Sequence, residues 1–413
     1  MIDLLSIIDN AQALEKRYQE DKSAFKKEFT SIYPQIKDTK FAEYWLARLN
    51  YSQAEISFGN SKELLILIAA CLFSGFIAKI PDIFSVGEQF YYSRNIGFIF
   101  LPVLSFYFIW KNEVSIKKVV LIGISLAVAL LYINLLPNHI QSDTLLLSCI
   151  HLPLFIWAVL GYSYLGKELK SPAKRLQFLR YNGDLIVMST LMLISGGILS
   201  VLSIGLFAAI GIQIERFYVD YIVICGAAAV PVVATYITQS NPMMVDKVSP
   251  LIAKIFSPIV LITLAIYLVS IFVAGKNPYQ DREFLIIFNF LLIGVMAIIL
   301  FSISGTSKSD VNKVSIAILF ALSLLTIIAN SIALSAILFR IAEWGLSPNK
   351  SAVLGANVLM LINLTMVALQ IFKCLTKKED FSKVGNAISW FLPVYVIWIM
   401  IVTFIFPLLF HFS

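Results

Sequence analysis

The segment RIAEWGLSPNK, residues 340–350, carries two cations and one acid between two long apolar runs. Arg340 and Glu343 are three residues apart, so on a helix they share a face and can form an ion pair. Charged side chains that close an apolar run are costly beside lipid and tend to mark pathways or sites. The segment therefore predicts a candidate polar site or gate made of Arg340, Glu343, Asn349 and Lys350.

The same segment also has the chemistry of a tight helical corner. Gly345 stands where a helix commonly ends in a left-handed residue. Ser347 can cap a following helix, and Pro348 suits its first turn, where a missing N–H does no harm. The spacing thus predicts a corner between two helices, with or without a functional role for its charges.

A second charged group lies in GIQIERFYVDYIV, residues 211–223. Asp220 follows Arg216 by four residues, so the two can pair across one helical turn, whereas the adjacent Glu215 points elsewhere. One interpretation is an interfacial ion pair that closes a helical corner. The other is an extracytoplasmic gate or solute contact.

A third group lies in SVGEQFYYSRN, residues 85–95, where Glu88 and Arg94 flank Tyr91 and Tyr92. Aromatic rings beside opposite charges suit a small polar or anionic solute. They equally suit an anchor at the lipid headgroups, where tyrosine and tryptophan are enriched.

Further polar residues fall inside apolar runs. A buried His151 could relay protons, although a lone histidine is more often structural. Asn357 and Asn363 follow the 340–350 segment and could line a cavity with Arg340. The other amide residues suit contacts that hold helices together, each worth about 1 kcal/mol or less; they are Asn134, Asn289, Asn330 and Gln370.

Signatures of soluble enzymes are absent from the sequence. It has no GxxxxGK[ST] phosphate loop and no HExxH, and its three histidines are not spaced for a metal ion. The four cysteines form no CxxC pair and predict small buried side chains. We expect no enzyme activity, no cofactor and no metal. No apolar run carries a clear buried acid for ion coupling.

The composition is that of a membrane protein. Of 413 residues, 59% are hydrophobic and 14% charged, against roughly 45–50% and about 25% in soluble domains. About eleven runs approach the length of some 17–25 residues that crosses a bilayer. They are 64–80, 95–110, 118–136, 144–165, 184–212, 219–237, 251–274, 284–303, 314–339, 352–374 and 387–410. We predict an all-α polytopic transmembrane bundle, in which Gly196 and Gly197 leave the fifth run as one tilted helix or two half-helices.

The loops predict an orientation. Lysine and arginine are concentrated in every second loop, including 111–118, 166–183 and 373–386, while the opposite loops are poor in both. Cytoplasmic loops carry that excess. We therefore expect the N-terminus in the cytoplasm and the C-terminus outside, in a bacterial inner membrane. The net charge of +7 lies in these short loops and does not indicate nucleic-acid binding.

Residues 1–63 form a polar N-terminal region ahead of the transmembrane domain, 64–413. Leu4, Leu5, Ile7 and Ile8, continued by Leu14, predict one face of an amphipathic helix, and Phe41, Trp45 and Leu49 predict another. The region suits a small helical hairpin on the membrane surface or against cytoplasmic loops. The alternative is a module that binds a protein partner.

The stretch LFRIAEWGLSPNKSAVLGANVLMLINL resembles a recurring segment of a bacterial integral-membrane family catalogued as domain of unknown function 4153. The residues that fit its pattern are Arg340, Ile341, Glu343, Trp344, Gly345, Leu346 and Asn349. Ser347 and Lys350 depart from the threonine and arginine common there, and lysine does not reproduce a bidentate arginine contact. FYVDYIVICGAAAVPVVATYI is similar less specifically. The resemblance spans roughly residues 60–410 and implies a multi-pass membrane protein, with no activity attached.

Three functions are open at this point. The first is a permease-like transporter of a small polar or anionic solute, supported by kink-forming Gly and Pro residues and by charged span ends. The second is a membrane sensor, assembly factor or signalling subunit that binds a partner through residues 1–63. The third, a membrane-embedded enzyme, is weakest because no paired acids or histidines meet at one membrane face.

Overall fold

The chain was examined as a computed structural model. It describes residues 11–20, 22–37, 39–50, 61–138, 142–209, 212–240, 257–266, 268–269, 282–305, 313–377 and 379–412. The contacts divide the chain into two compact units, Met1–Ser57 and Phe58–Ser413. The predicted apolar face at Leu4, Leu5, Ile7 and Ile8 lies outside the described residues.

The first unit has three described helices, α1 (Ala11–Glu20), α2 (Lys22–Ile36) and α3 (Lys40–Asn50). They enclose a small core of their own; its buried members are Leu14, Phe25, Phe29, Ile32, Ile36, Ala42 and Leu49. The Trp45 ring packs on Phe25 with 4.8 Å between centroids. The apolar side predicted for Trp45 and Leu49 therefore faces this core.

All the regular secondary structure among the described residues of the second unit is helical. Its helices, in chain order, are α4 (Ser61–Ala78), α5 (Ile80–Phe84), α6 (Glu88–Asn95), α7 (Leu101–Lys111), α8 (Ile116–Leu135), α9 (Asp143–Leu165), α10 (Pro172–Ala209), α11 (Glu215–Ser240), α12 (Ser257–Ile266), α13 (Arg282–Gly305), α14 (Lys313–Trp344), α15 (Pro348–Lys377) and α16 (Ser382–Leu409). Turns of π-helix interrupt α11 at Tyr218–Val223 and α16 at Ile401–Ile405.

Within the described residues, eight helical stretches are long and apolar enough to cross a membrane. They are Glu88–Lys111, Ile116–Leu135, Asp143–Leu165, Pro172–Gly205, Glu215–Ser240, Lys313–Trp344, Pro348–Thr376 and Ser382–Leu409. Shorter apolar helices at Glu63–Ala78, Ser257–Ile266 and Leu292–Ile303 lie at the other three predicted spans. The all-α class is confirmed for the described residues and is consistent with a multi-pass membrane protein, whereas the total of about eleven spans stays a prediction.

The outward faces of these helices are apolar. On α8, Leu121, Ile124, Val128 and Leu131 are each more than half exposed. Soluble monomers rarely expose contiguous apolar patches beyond a few hundred Å². A helix that is apolar on both its packed and its outer face suits a surrounding of lipid.

The fifth predicted run is part of one continuous helix, α10, which spans 38 residues. Gly196 and Gly197 do not unwind it, because backbone hydrogen bonds continue through SGGILS. Among the described residues, no other part of the chain lies within 4 Å of a Cβ built at either glycine. The alternative of two half-helices is therefore wrong for this run.

Two apolar cores hold the second unit together. One joins α13–α16 and includes Leu322, Val367 and Ile388. The other joins α7–α11 and includes Leu104 and Ile133. Helix α10 contributes to both cores. Since lipid tails are as apolar as leucine, close van der Waals packing and polar contacts give such a bundle its specificity.

Candidate functional site

The 340–350 segment is a compact corner between α14 and α15. Gly345 ends α14 in the left-handed region with φ +70°. The Ser347 hydroxyl accepts from the Lys350 N–H at 3.4 Å at the start of α15. These are the roles that the sequence predicts for Gly345 and Ser347.

Lys350 is committed to this corner. Its Nζ donates to the backbone oxygens of Arg340, Trp344 and Gly345 at 3.4, 3.2 and 2.7 Å. Trp344 is the last residue of α14 and Gly345 follows it directly, at the end of the helix where carbonyls lack partners within the helix and the dipole favours a cation. Lys350 thus acts as a helix cap, and Asn349 lies half-buried beside it.

The predicted Arg340–Glu343 pair is wrong. Among the described residues these two form no ion pair, and Glu343 is exposed. The Arg340 guanidinium instead lies over the Trp344 ring, 5.2 Å from its centroid. The Trp344 ring lies one helical turn after Arg340 and attracts its guanidinium by a cation–π contact. An ion pair with the exposed, hydrated Glu343 carboxylate contributes too little free energy to compete with that contact.

The predicted Arg216–Asp220 contact is present but weak. Arg216 Nε lies 3.9 Å from Asp220 Oδ2, and 97% of the Arg216 side chain is exposed. Exposed pairs contribute about 0–1 kcal/mol. Glu215 is exposed as well, so these three charges do not enclose a site.

Glu88 and Arg94 are not brought together either. Glu88 is exposed, whereas Arg94 is buried. The Arg94 guanidinium donates to the backbone oxygens of Ile133 and Leu136. Arg94 therefore caps the C-terminal end of α8, where a cation is favourable.

The two tyrosines next to Arg94 cap another helix. Tyr91 and Tyr92 donate their hydroxyls to the backbone oxygens of Ile77 and Ala78 at the end of α4, at 2.7 and 2.9 Å. These contacts place the two hydroxyls on protein carbonyls. Tyr91, Tyr92 and Arg94, which the sequence predicted to contact a solute, are therefore hydrogen-bonded to the protein's own backbone.

His151 is half-buried in α9, and its Nδ1 lies 2.9 Å from the Leu147 carbonyl oxygen. Because a carbonyl oxygen only accepts, this contact places the ring proton on Nδ1. The histidine is bonded one turn back along its own helix, as structural histidines commonly are.

Asn357, by contrast, belongs to a polar group inside the apolar core of α13–α16. Its Nδ2 donates to Asn289 Oδ1 at 2.9 Å, which links α15 to α13. Asn330 on α14 donates its Nδ2 to the Asn357 backbone oxygen at 3.0 Å. Asn330 and Asn357 are fully buried. The amides therefore connect three helices, as buried amides in membrane bundles do.

These contacts leave acceptor oxygens without a donor. Neither Asn330 Oδ1 nor Asn357 Oδ1 has a hydrogen-bond partner among the described residues, and both atoms are buried. The Asn330 orientation is fixed, since only its NH₂ can bond a carbonyl oxygen. A buried polar atom without a partner costs about 1–3 kcal/mol.

A second pair of polar side chains lies further along α15. Asn363 is 1% exposed, and neither end of its amide has a hydrogen-bond partner in the described chain. The Tyr395 hydroxyl of α16 is close enough to interact with this amide but lies outside hydrogen-bond geometry. One turn further on, Trp398 Nε1 is also buried without a partner.

We refer to Asn289, Asn330, Asn357, Asn363 and Tyr395 as the polar row. Asn357 and Asn363 are six residues apart, about 9 Å along a helix that rises about 1.5 Å per residue. Asn330, Asn363 and Tyr395 each lie near the middle of a membrane-length helix. The row thus places amide and hydroxyl groups deep within the apolar core.

A separate cavity of about 580 Å³ lies between α4 and α11, lined by Leu72, Phe76, Lys79, Asp82 and Tyr221 among others. Lys79 is buried and forms an ion pair with Asp82. Its Nζ lies 4.9 Å from the Tyr221 ring centroid. The hydrogen bond to Asp82 raises the pKa of Lys79 above its ordinary value of 10.5.

One further acid corrects the sequence prediction that no run holds a buried acid. Asp184 on α10 is 8% exposed, and it acts electrostatically on the Tyr164 hydroxyl, as does Arg180. The predicted run began at this residue, whereas the helix begins twelve positions earlier, at Pro172. The earlier start places Asp184 inside the helix.

Sequence reasoning treated Asn289 and Asn330 as helix contacts only, placed Asn357 and Asn363 in a cavity with Arg340, and missed Tyr395, Lys79 and Asp82. The sequence feature that could have revealed the polar row was an asparagine near the middle of several apolar runs. No group of three or more His, Cys, Asp or Glu side chains that could hold a metal ion occurs in the described part of the chain.

No protein-family model, no curated protein and no solved structure matches this chain. The resemblance to family 4153 therefore stays a prediction. No relative supplies an activity, and the function has to be argued from the polar row and its surroundings.

Proposed function

We propose that the protein is a permease-like transporter that carries a small polar solute through the bundle α13–α16. The observation that carries this proposal is the polar row, where buried amide and hydroxyl atoms have no hydrogen-bond partner in the described chain. In native proteins such atoms are met by water, by an ion or by a ligand. Since buried amides in membrane bundles also link helices, the ends without a protein partner are the feature of the row that favours a solute.

The chain itself provides an example of amides that only hold helices together. Asn95 and Asn134 exchange two hydrogen bonds, with Asn95 Nδ2 to Asn134 Oδ1 at 3.0 Å and Asn134 Nδ2 to Asn95 Oδ1 at 2.8 Å. Each amide there uses both of its ends on the other. The polar row differs, because Asn330 and Asn363 keep ends that no protein group in the described chain satisfies.

The backbone next to the row suits a helix that changes shape. Helix α16 contains Pro393 and a π-helical turn at Ile401–Ile405. Proline removes an internal hydrogen bond, and π-turns occur frequently at functional sites. Tyr395 and Trp398 lie between these two features, so a bend of α16 would move both side chains relative to Asn363.

A thermal-stability screen of the purified protein tests the proposal. The panel contains amides, polyols, sugars, amino acids, nucleotides and inorganic ions. A ligand at about a hundred times its Kd stabilises by roughly 2.7 kcal/mol. We expect a selective hit that Asn330→Leu or Asn363→Leu abolishes, while Ser331→Leu, an exposed position on α14, retains it. A panel without hits, or hits that both core variants retain, would contradict it.

The second candidate is a non-transporting membrane component, favoured by the separate aromatic core of Met1–Ser57. A self-contained helical unit suits a handle for a protein partner. Its test is affinity purification of the full chain from its native membrane with and without substitutions on that unit. A stable partner lost with Tyr44→Ala, an exposed aromatic residue, and no ligand in the screen would favour this second function.

The proposal includes the predicted setting: a bacterial inner membrane with the N-terminus in the cytoplasm and the C-terminus outside, and no enzyme activity. The excess of lysine and arginine in alternate loops supports this orientation. Thiol labelling of single cysteines introduced in the loops 111–118 and 166–183 from either side of the membrane would test it. Labelling from the outside would overturn the orientation.

A further inference from the structure

We propose that the solute is small and uncharged and offers both hydrogen-bond donors and acceptors, as a simple amide, urea or a short polyol does. This inference rests on the proposed transport function and names the chemistry of its solute. It departs from the expectation of a solute that is either polar or anionic.

Asn330 and Asn357 have buried oxygens without a donor among the described residues. Asn330 bonds a backbone carbonyl through its NH₂ group, so the end left over is the acceptor oxygen Oδ1. Asn357 pairs its Nδ2 with Asn289 Oδ1, and its own Oδ1 stays without a donor. These oxygens suit a donor on the solute, which a bare anion does not have.

Further along α15, Asn363 presents both an NH₂ and an oxygen, and the Tyr395 hydroxyl can donate or accept. This end of the row therefore suits an acceptor on the solute, such as a carbonyl or hydroxyl oxygen, as well as a donor. The Trp398 ring packs directly on Gly355, two residues before Asn357, so its donor-only Nε1 lies nearer the Asn357 end of α15.

The side chains of α13–α16 also bear on the charge of the solute. The stretches 284–305, 314–339, 351–372 and 384–410 contain no Asp, Glu, Lys or Arg. Charged side chains on α13–α16 lie towards the helix ends, as Arg340 and Lys373 do. An ion at the row would have no opposite charge beside it on these helices, and a charge is expensive in such a medium. Neutral dipoles are the partners that amide groups accommodate there.

The polar row differs in this respect from the Lys79–Asp82 cavity. There a cation and an acid already satisfy each other, and Tyr221 adds a ring to the cation. That cavity is charged but internally compensated. The row is neutral but has ends without protein partners, so it is the better receptor for a neutral solute.

The test is a swelling assay on the full-length protein in liposomes, read by light scattering after an osmotic step. The probes are urea, acetamide and glycerol, compared at equal osmolarity with potassium formate and potassium nitrate, each with valinomycin present so that K⁺ can follow an entering anion, and protein-free liposomes give the background rate for every probe. We expect the protein to accelerate the entry of at least one neutral probe and of none of the salts. Asn330→Leu and Asn363→Leu should each slow that entry by about tenfold, the effect of losing one hydrogen-bonding partner, and Ser331→Leu should not.

The alternative outcomes separate the two claims. Acceleration of salts alone would overturn the uncharged solute and leave transport standing. Acceleration of no probe, together with a screen without hits, would overturn both. Entry of neutral probes at an unchanged rate in both core variants would show that the solute passes elsewhere. Thermal stability of every variant is measured first, so that a fold lost in one variant is not read as lost transport.

Discussion

Asn330 on α14 donates its side-chain amide to the backbone oxygen of Asn357 on α15 at 3.0 Å, and this bond leaves Asn330 Oδ1 buried without a donor in the described chain. The contact is both a link between two helices and the source of a polar atom with no protein partner. The first role is structural, and the proposed function assigns the second to a solute.

The two amide arrangements predict opposite responses to leucine. In Asn134→Leu the buried Asn95 amide loses both of its bonds to Asn134, so we expect the free energy of unfolding to fall by about 1–3 kcal/mol. In Asn330→Leu one bond is lost, but an unsatisfied oxygen goes with it. We therefore expect the free energy of unfolding of Asn330→Leu to stay the same or to rise by about 1 kcal/mol.

Thermal or denaturant unfolding of both variants in solute-free detergent checks this contrast. A loss in Asn330→Leu as large as that in Asn134→Leu would show that Asn330 Oδ1 has a partner in the folded protein. In that case a tightly held internal water, and not a solute, would be the partner of Asn330 Oδ1.

Gly345 and Gly196 form a second matched pair. Gly345 has φ +70° at the end of α14, where a side chain costs about 1–2 kcal/mol. Gly196 lies inside α10, and no other part of the described chain comes within 4 Å of its Cβ position. We therefore expect Gly345→Ala to destabilise by about 1–2 kcal/mol and Gly196→Ala to stabilise by roughly 0.5–1 kcal/mol. Unfolding curves that move in the same direction for both would refute the predicted corner geometry.

Arg94 is predicted to act in folding and not in solute binding. Its bonds to the carbonyls of Ile133 and Leu136 involve a charged donor, and such bonds contribute about 1.5–3 kcal/mol each. Arg94→Met should lower the free energy of unfolding by several times the roughly 0.5 kcal/mol typical of surface substitutions. The swelling rate per folded molecule should stay unchanged, and a selective loss of transport in a fully stable variant would reverse this assignment.

The Lys79–Asp82 pair predicts a pH dependence. The pKa of Lys79 is raised in the folded protein, mainly by its hydrogen bond to Asp82. Its stabilising contribution is therefore present below the ordinary pKa near 10.5 and is lost as the pH rises through the folded value. The difference in Tm between the wild type and Lys79→Gln should be constant between about pH 7 and pH 9 and should shrink above about pH 10.5.

The control for that pH series is the same comparison in an Asp82→Asn background. Removing the carboxylate removes the main cause of the raised pKa, so the dependence at high pH should weaken. A difference that persists unchanged into strongly alkaline solution would show that Lys79 contributes by packing on Tyr221 alone.

Much of the fold could be predicted from the sequence because apolar length alone decides it. The run 144–165 matches Asp143–Leu165, and 118–136 matches Ile116–Leu135. The corner at Gly345 and Ser347 was equally accessible, since caps depend on near neighbours in the chain.

The partners of charged side chains could not be read in the same way. Arg94 bonds carbonyls about forty positions away, and the Asn330 bond depends on how α14 packs on α15. Spacing along one helix predicted that Arg340 would face Glu343, but it gave no weight to the Trp344 ring. Pairing within one helix is local, whereas choice among competing partners is decided by tertiary packing.

The most direct test of the account is whether a small polar reagent reaches the polar row. The four native cysteines, Cys71, Cys149, Cys225 and Cys374, are replaced, and Asn330→Cys or Ala329→Cys is introduced singly. Both positions are fully buried on α14, but only Asn330 belongs to the row. A small hydrophilic thiol reagent should modify Asn330→Cys in the folded protein and should leave Ala329→Cys intact. The modification of Asn330→Cys should be slower in the presence of whichever neutral probe, urea, acetamide or glycerol, the protein admits to liposomes. Equal protection of both positions would contradict a solute pathway along the row.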